Sequence, residues 1–139
     1  MNKKNGKMNN KNINKPTSAE LEILQILWKN DAATVKTVND ILNKKKEVGY
    51  TTTLKIMQIM FEKGLLEREK EGRSHIYKPA KKESETQNVM LEKVLETAFG
   101  GSASKLVMQA LGRSKTSEAE LKEIKKFIEQ MEKERNESE

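Results

Sequence analysis

Thr51, Thr52, Leu54, Lys55 and Gln58 share the outer side of a short amphipathic run, once Thr53, Ile56, Met57 and Met60 are turned inward at offsets of three, four and seven. Their chemistry is recognition. Hydroxyls at the start of a helix lie where free N–H groups and the positive end of the dipole favour an anion. The Gln58 amide can donate and accept side by side, and Lys55 brings a charge. Further on, Lys70, Arg73 and His75 cluster about Glu71-Gly72-Arg73, a turn signal between two short alternating runs. Catalysis would need other parts. The chain has one His, no Cys and no Gly-rich phosphate loop, so it is expected not to be an enzyme and to hold no cofactor and no metal. His75 reads as a polar hairpin residue, neither base nor ligand.

The elements that must position these residues follow from periodicity and caps. Thr17-Ser18-Ala19-Glu20 is a capping box. It opens a helix to about Asn30, with Leu21, Leu24 and Trp28 on one face and Leu27 beside them. Thr34 caps a second helix whose buried stripe is Val35, Val38, Ile41 and Leu42, and the polar stretch from Asn43 to Gly49 reads as a loop. A third helix spans about 50–63, with Gly64 as the residue that ends it. Leu65 to Lys70 and His75 to Lys78 predict a hairpin, closed by Pro79. Beyond it, the spacing predicts helices over 84–99, 102–111 and 117–134, interrupted by Gly100-Gly101 and restarted by a second capping box at Ser117-Glu118-Ala119-Glu120.

Composition bounds the rest. With 35% hydrophobic and 4% aromatic residues, 139 residues suit small modules completed by a partner better than one thick core. No apolar run is long enough to span a membrane, and no apolar stretch follows the basic start, so a cytoplasmic protein without membrane insertion is expected. Residues 1–15, with six Asn and five Lys, predict a disordered tail. Residues 1–82 carry 18 Lys and Arg against 9 Asp and Glu, and residues 83–139 carry 9 against 12, so a half of +9 adjoins one of −3. Only the first half is suited to a polyanion.

Three helices followed by a hairpin is the order of a winged helix-turn-helix. The fold class predicted is mainly α with a small β-hairpin: a winged helix-turn-helix at 16–80 and a helical dimerisation domain at 81–139. A major groove about 12 Å wide admits one helix, whose Gln pairs with adenine and whose Thr and Leu meet thymine methyls. Thr51, Thr52, Leu54, Lys55 and Gln58 are the expected base-facing set, with Lys70, Arg73 and His75 gripping phosphates. Each feature alone also suits a solvated helix or an ordinary edge hairpin; their order and the confined positive charge favour double-stranded DNA. The later helices hold more apolar stripe than they can cover, so a homodimer is expected through Leu95, Phe99, Leu106, Leu121, Ile124 and Ile128. The alternative is a winged-helix protein–protein adaptor without sequence-specific DNA binding.

Four segments, Ala19 to Trp28, Tyr50-Thr51-Thr52-Thr53, Glu62-Lys63-Gly64-Leu65-Leu66 and Phe99-Gly100-Gly101-Ser102, resemble the penicillinase repressor family of the BlaI/MecI type, in register from about Ser18 to Glu134. The resemblance implies a dimeric repressor on palindromic operators of β-lactamase, resistance or related genes. It also implies derepression by cleavage in the second domain, through a membrane sensor metalloprotease or its downstream protease. The matching bond is Gln109-Ala110, where family members that are cut carry Asn-Phe. A copper-responsive branch uses C-terminal cysteines, which this chain lacks.

Overall fold

Thr17 caps the first helix, α1 (Ser18–Asn30): its hydroxyl accepts from the Glu20 N–H at 3.2 Å, while the Glu20 carboxylate accepts from the Thr17 N–H at 2.9 Å. The computed structural model describes residues 15–113 and 115–138, so the tail expected over 1–15 lies, but for Lys15, outside the described residues. Two compact units divide the chain between Glu92 and Lys93.

In the first unit, α1 buries Ile23, Leu24 and Leu27, and leaves Leu21 and Trp28 half-buried at its margins. The inward face is thus turned from the Leu21–Trp28 line that spacing suggests. Trp28 sits at the boundary because its indole N–H needs a partner, found in the Lys81 carbonyl at 3.1 Å. The chain leaves α1 through a tight turn at Asp31 (φ 66°, ψ −52°), closed by the Ala32 N–H on the Asn30 carbonyl at 2.7 Å. Helix α2 (Val35–Leu42) starts at Thr34, whose hydroxyl accepts from the Thr37 N–H at 3.2 Å. It buries Val35, Val38 and Asn39, with Ile41 and Leu42 half-buried.

Helix α3 (Tyr50–Glu62) buries Thr53, Met57 and Met60. It ends in a Schellman motif: Gly64 takes φ 83°, the Gly64 N–H reaches the Phe61 carbonyl at 3.1 Å and the Leu65 N–H reaches that of Met60 at 2.9 Å. Strands β1 (Leu66–Glu71) and β2 (Ser74–Pro79) pair antiparallel from Leu66 opposite Pro79 to Glu71 opposite Ser74. The loop is therefore the two residues Gly72-Arg73, one shorter than the sequence suggests. Gly72 at φ 62° supplies the positive φ that a two-residue hairpin of the II′ kind needs first. Ala33 and Tyr77 exchange two backbone hydrogen bonds, at 2.9 and 2.8 Å, which fasten the α1–α2 turn to β2. One core results, of Ile23, Leu24, Leu27, Ala33, Val35, Val38, Met57, Met60, Leu66 and Tyr77. Helix α4 (Glu83–Phe99) begins in this unit, where Thr86 is buried.

The second unit holds the end of α4, α5 (Ala103–Arg113) and α6 (Glu118–Ser138). Gly100 and Gly101 both take positive φ, and Ser102 then caps α5, its hydroxyl accepting from the Lys105 N–H at 3.2 Å. Ser117 caps α6 in the same way, accepting from the Glu120 N–H at 3.1 Å. None of the residues described in α5 or α6 is buried. The architecture is mainly helical with one two-stranded hairpin, in the order of a winged helix followed by a helical unit.

Candidate nucleic-acid interface

Helix α3 is presented by burial on one side only. Thr53, Met57 and Met60 hold it to the core, which leaves Thr51, Thr52, Lys55 and Gln58 exposed, as the sequence predicts. Leu54 departs from that expectation. It is half-buried and packs against the core, because its i, i+4 row with Tyr50 and Gln58 faces the hairpin and not open solvent. The start of α3 has no side-chain cap, since Gly49 offers none, so the N–H groups of its first turn remain open to an acceptor from outside.

Charge on the hairpin is sorted by the pleat. Residues directly opposite in an antiparallel pair lie on one face, so Arg68, Lys70, His75 and Tyr77 share the side that carries buried Leu66, while Glu67, Glu69 and Glu71 share the other. Lys78 pairs with Glu67 at 3.7 Å on that second face. Arg68 lies 3.9 Å over the ring of Phe61, a cation–π contact that holds β1 to α3. His75 is half-buried, edge-on to Tyr77 with ring centroids 6.2 Å apart.

A groove of about 350 Å³ lies between the start of α2, the side of α3 and the hairpin tip, lined by Thr34, Lys36, Tyr50, Leu54, Gln58, Arg73 and His75 among others. It brings together four of the eight predicted contact residues. Thr51, Thr52 and Lys55 lie on the exposed side of α3, and Lys70 stands opposite His75 in the hairpin. Thr34, Lys36 and Tyr50 were not among the residues predicted from sequence. Tyr50 was within reach, one i−4 step from Leu54. Thr34 and Lys36 needed the fold, which alone brings the start of α2 to the groove. Lys36 is held 3.2 Å from Asp40, both side chains largely in water.

In the second unit, the six residues predicted to pair two copies are unburied: Leu95, Phe99, Leu106 and Ile124 are half-buried, and Leu121 and Ile128 are 44% and 47% exposed. Gln109 and Ala110 are exposed on α5. Among the described residues, no group of His, Asp and Glu is gathered to hold a metal ion, and no helix is long and apolar enough to cross a membrane.

Comparison with known proteins gives a consistent set. A family model described as penicillinase repressor matches residues 16–130. A penicillinase repressor of Bacillus licheniformis is 27% identical over 120 residues, 86% of this chain and 94% of that one. The methicillin resistance regulatory protein MecI of Staphylococcus aureus (strain N315) is 20% identical over 112 residues, 81% of this chain and 91% of its own. A protein of the same name from Staphylococcus epidermidis matches to the same extent.

Proposed function

The chain belongs to the penicillinase repressor family, and from that premise we propose that it represses transcription as a homodimer seated on palindromic operator DNA. The family is one of transcriptional regulators, so the chain is a regulator and not an enzyme. In the proposed complex α3 lies in the major groove. Thr51, Thr52, Lys55 and Gln58 meet base edges and nearby phosphates, with Leu54 at the margin of that set. Lys70, Arg73 and His75 hold the backbone alongside. The observation that carries this reading is the groove shared by Gln58 of α3 and Arg73 and His75 of the hairpin, on the half of the chain with the positive charge. The groove wall carries Lys36 and Arg73 and no carboxylate, a lining suited to phosphates more than to a neutral protein face.

The second half of the reading is pairing. Leu95, Phe99, Leu106, Leu121, Ile124 and Ile128 form the proposed dimer face, and two-fold symmetry would set two α3 helices about 34 Å apart, one duplex turn. Domain boundaries at 16–80 and 81–139 belong to the same proposal. The regulated genes are proposed to be those of β-lactam resistance, by analogy with the named relatives, and the site of action is the cytoplasm. Derepression through cleavage at Gln109-Ala110, by a membrane sensor metalloprotease or a protease downstream of it, is the remaining part. Both residues are exposed, so little side-chain packing opposes the unwinding a protease needs.

Footprinting on the DNA upstream of the chain's own gene, followed by titration of that site and of a random duplex across salt, tests the proposal. The footprint should be two-fold symmetric. Affinity for both duplexes should fall steeply between about 50 and 200 mM salt, with the footprinted site held tighter throughout. A chain that ignores both duplexes in dilute buffer is no operator-binding repressor.

A further inference from the structure

The apolar residues of α3 decide which side faces the core and fix its exact rotation only coarsely. Its buried anchors include Met57 and Met60, whose flexible side chains fit many shapes and specify few. Leu54 and Ile56 flank them half-buried on either side, and Ile59 is left 40% exposed, so the apolar arc is wider than the arc the core covers. A turn of a few tens of degrees would keep Met57 and Met60 covered while trading cover between Leu54 and Ile56, so dispersion alone opposes it weakly. The N-terminus gives no help, because Gly49 makes no side-chain cap.

A polar cluster supplies what the apolar side chains do not. Asn39 is buried on α2, and its amide donates to the Thr53 hydroxyl at 2.7 Å and to the Val48 carbonyl at 3.1 Å. Thr53 is wholly buried, so this bond has no water to replace it. Asn43 braces the same point: its amide oxygen accepts from the Val48 N–H at 3.0 Å, and its NH2 group donates to the Val48 carbonyl at 2.9 Å and to the Asn39 carbonyl at 2.8 Å. Asn39 of α2 and Asn43 just past its end therefore hold the end of the loop and the first turn of α3 directionally, as hydrogen bonds do and dispersion does not.

We propose that Asn39 and Asn43 together position α3 for sequence reading: through Thr53 and Val48 they set the rotation of α3 that turns Thr51, Thr52, Lys55 and Gln58 toward the duplex. The proposal rests on the reading of α3 as the recognition helix. It predicts an effect on discrimination between sequences, and not merely on stability.

The test compares full-length wild type with Thr53→Val, Thr53→Ser and Asn43→Ala, each titrated against the footprinted site and a random duplex below its melting temperature. Thr53→Val keeps the shape and removes the hydroxyl, so the ratio of the two affinities should fall about tenfold, the worth of one good base contact. Thr53→Ser keeps the hydroxyl and should restore the wild-type ratio. Asn43→Ala, at an exposed position that leaves the core intact, should lower the ratio about threefold, and serves in its place if Thr53→Val does not fold. An unchanged ratio in Thr53→Val, or in Asn43→Ala where it stands in, overturns the positioning role. So does a loss in Thr53→Ser as large as in Thr53→Val, which would make the methyl group responsible. If wild type itself does not distinguish the two duplexes, the recognition-helix reading has failed and takes this proposal with it.

Discussion

Up to Glu92, side chains such as Ile23, Leu27, Val38, Met57 and Met60 are wholly withdrawn from water, whereas from Lys93 onward no described residue is buried at all. In that second unit Phe127 is 64% exposed and Met108 72%. The two units do not differ in helical pattern, since both have capped helices with apolar stripes. They differ in closure. Three helices and a hairpin surround a core from all sides, while three helices alone leave their stripe in water. The first unit leaves mainly polar residues on its surface; the second leaves apolar surface open, and a second copy is the occupant proposed for it.

The strongest test of that contrast attacks the open face. Replacing Ile124 and Ile128 by Glu puts two carboxylates per copy where the proposed partner sits, and an unpaired buried charge costs several kcal/mol. We expect the dimer dissociation constant to rise at least about 100-fold in sedimentation, with thermal unfolding of the first unit unmoved. Retention of the wild-type dimer would place the pairing face elsewhere.

The closed face should respond in the opposite manner. Leu27 is fully buried, so Leu27→Ala should destabilise the first unit by about 2–5 kcal/mol. Its melting midpoint should fall by the same amount at every protein concentration, because the cavity lies within one copy. A concentration-dependent loss would mean that this core is completed by a partner too, and the contrast would be gone.

A smaller effect comes from the polar interior of the first unit. The Lys63 ammonium lies 2.8 Å from both oxygens of Glu20, tying the end of α3 to the start of α1. The Glu20 side chain is 6% exposed and that of Lys63 24%. Lys63→Ala strands a nearly buried carboxylate, and because Lys63 reached solvent the loss should be about 1–2 kcal/mol, below that of a fully buried pair. Adding Glu20→Gln, which keeps the acceptor for the Thr17 N–H, should recover part of it in urea titration; a further loss instead would show that the Glu20 charge stabilises the start of α1 without Lys63.

How much of this could be read in the chain follows the same division. Caps at Thr17, Thr34 and Ser117 and the glycine stop at Gly64 are local, set by residues three or four apart, and the helix starts are legible from them. The outward row of α3 was legible for Thr51, Thr52, Lys55 and Gln58, because a 3.6-residue period assigns faces. It failed at Leu54, since a period tells which residues share a face and not that a hairpin will come to cover one. Lys36 and Thr34 joined the groove for the same reason. The Asn39–Thr53 bond spans fourteen residues and two helices, and no spacing rule announces it.

The mildest prediction concerns Arg73, at the second position of the two-residue hairpin loop and exposed. Arg73→Ala removes one cation from the groove wall without touching the core, so stability and dimerisation should hold. A phosphate contact carries no sequence information, so affinity should fall by a similar factor for the footprinted site and for random duplex. The plot of log affinity against log salt should lose about one unit of slope, the signature of one counterion no longer released. Equal slopes would take the hairpin tip off the duplex. A loss confined to the footprinted site would instead make Arg73 a reader of bases, and sequence recognition would no longer belong to α3 alone.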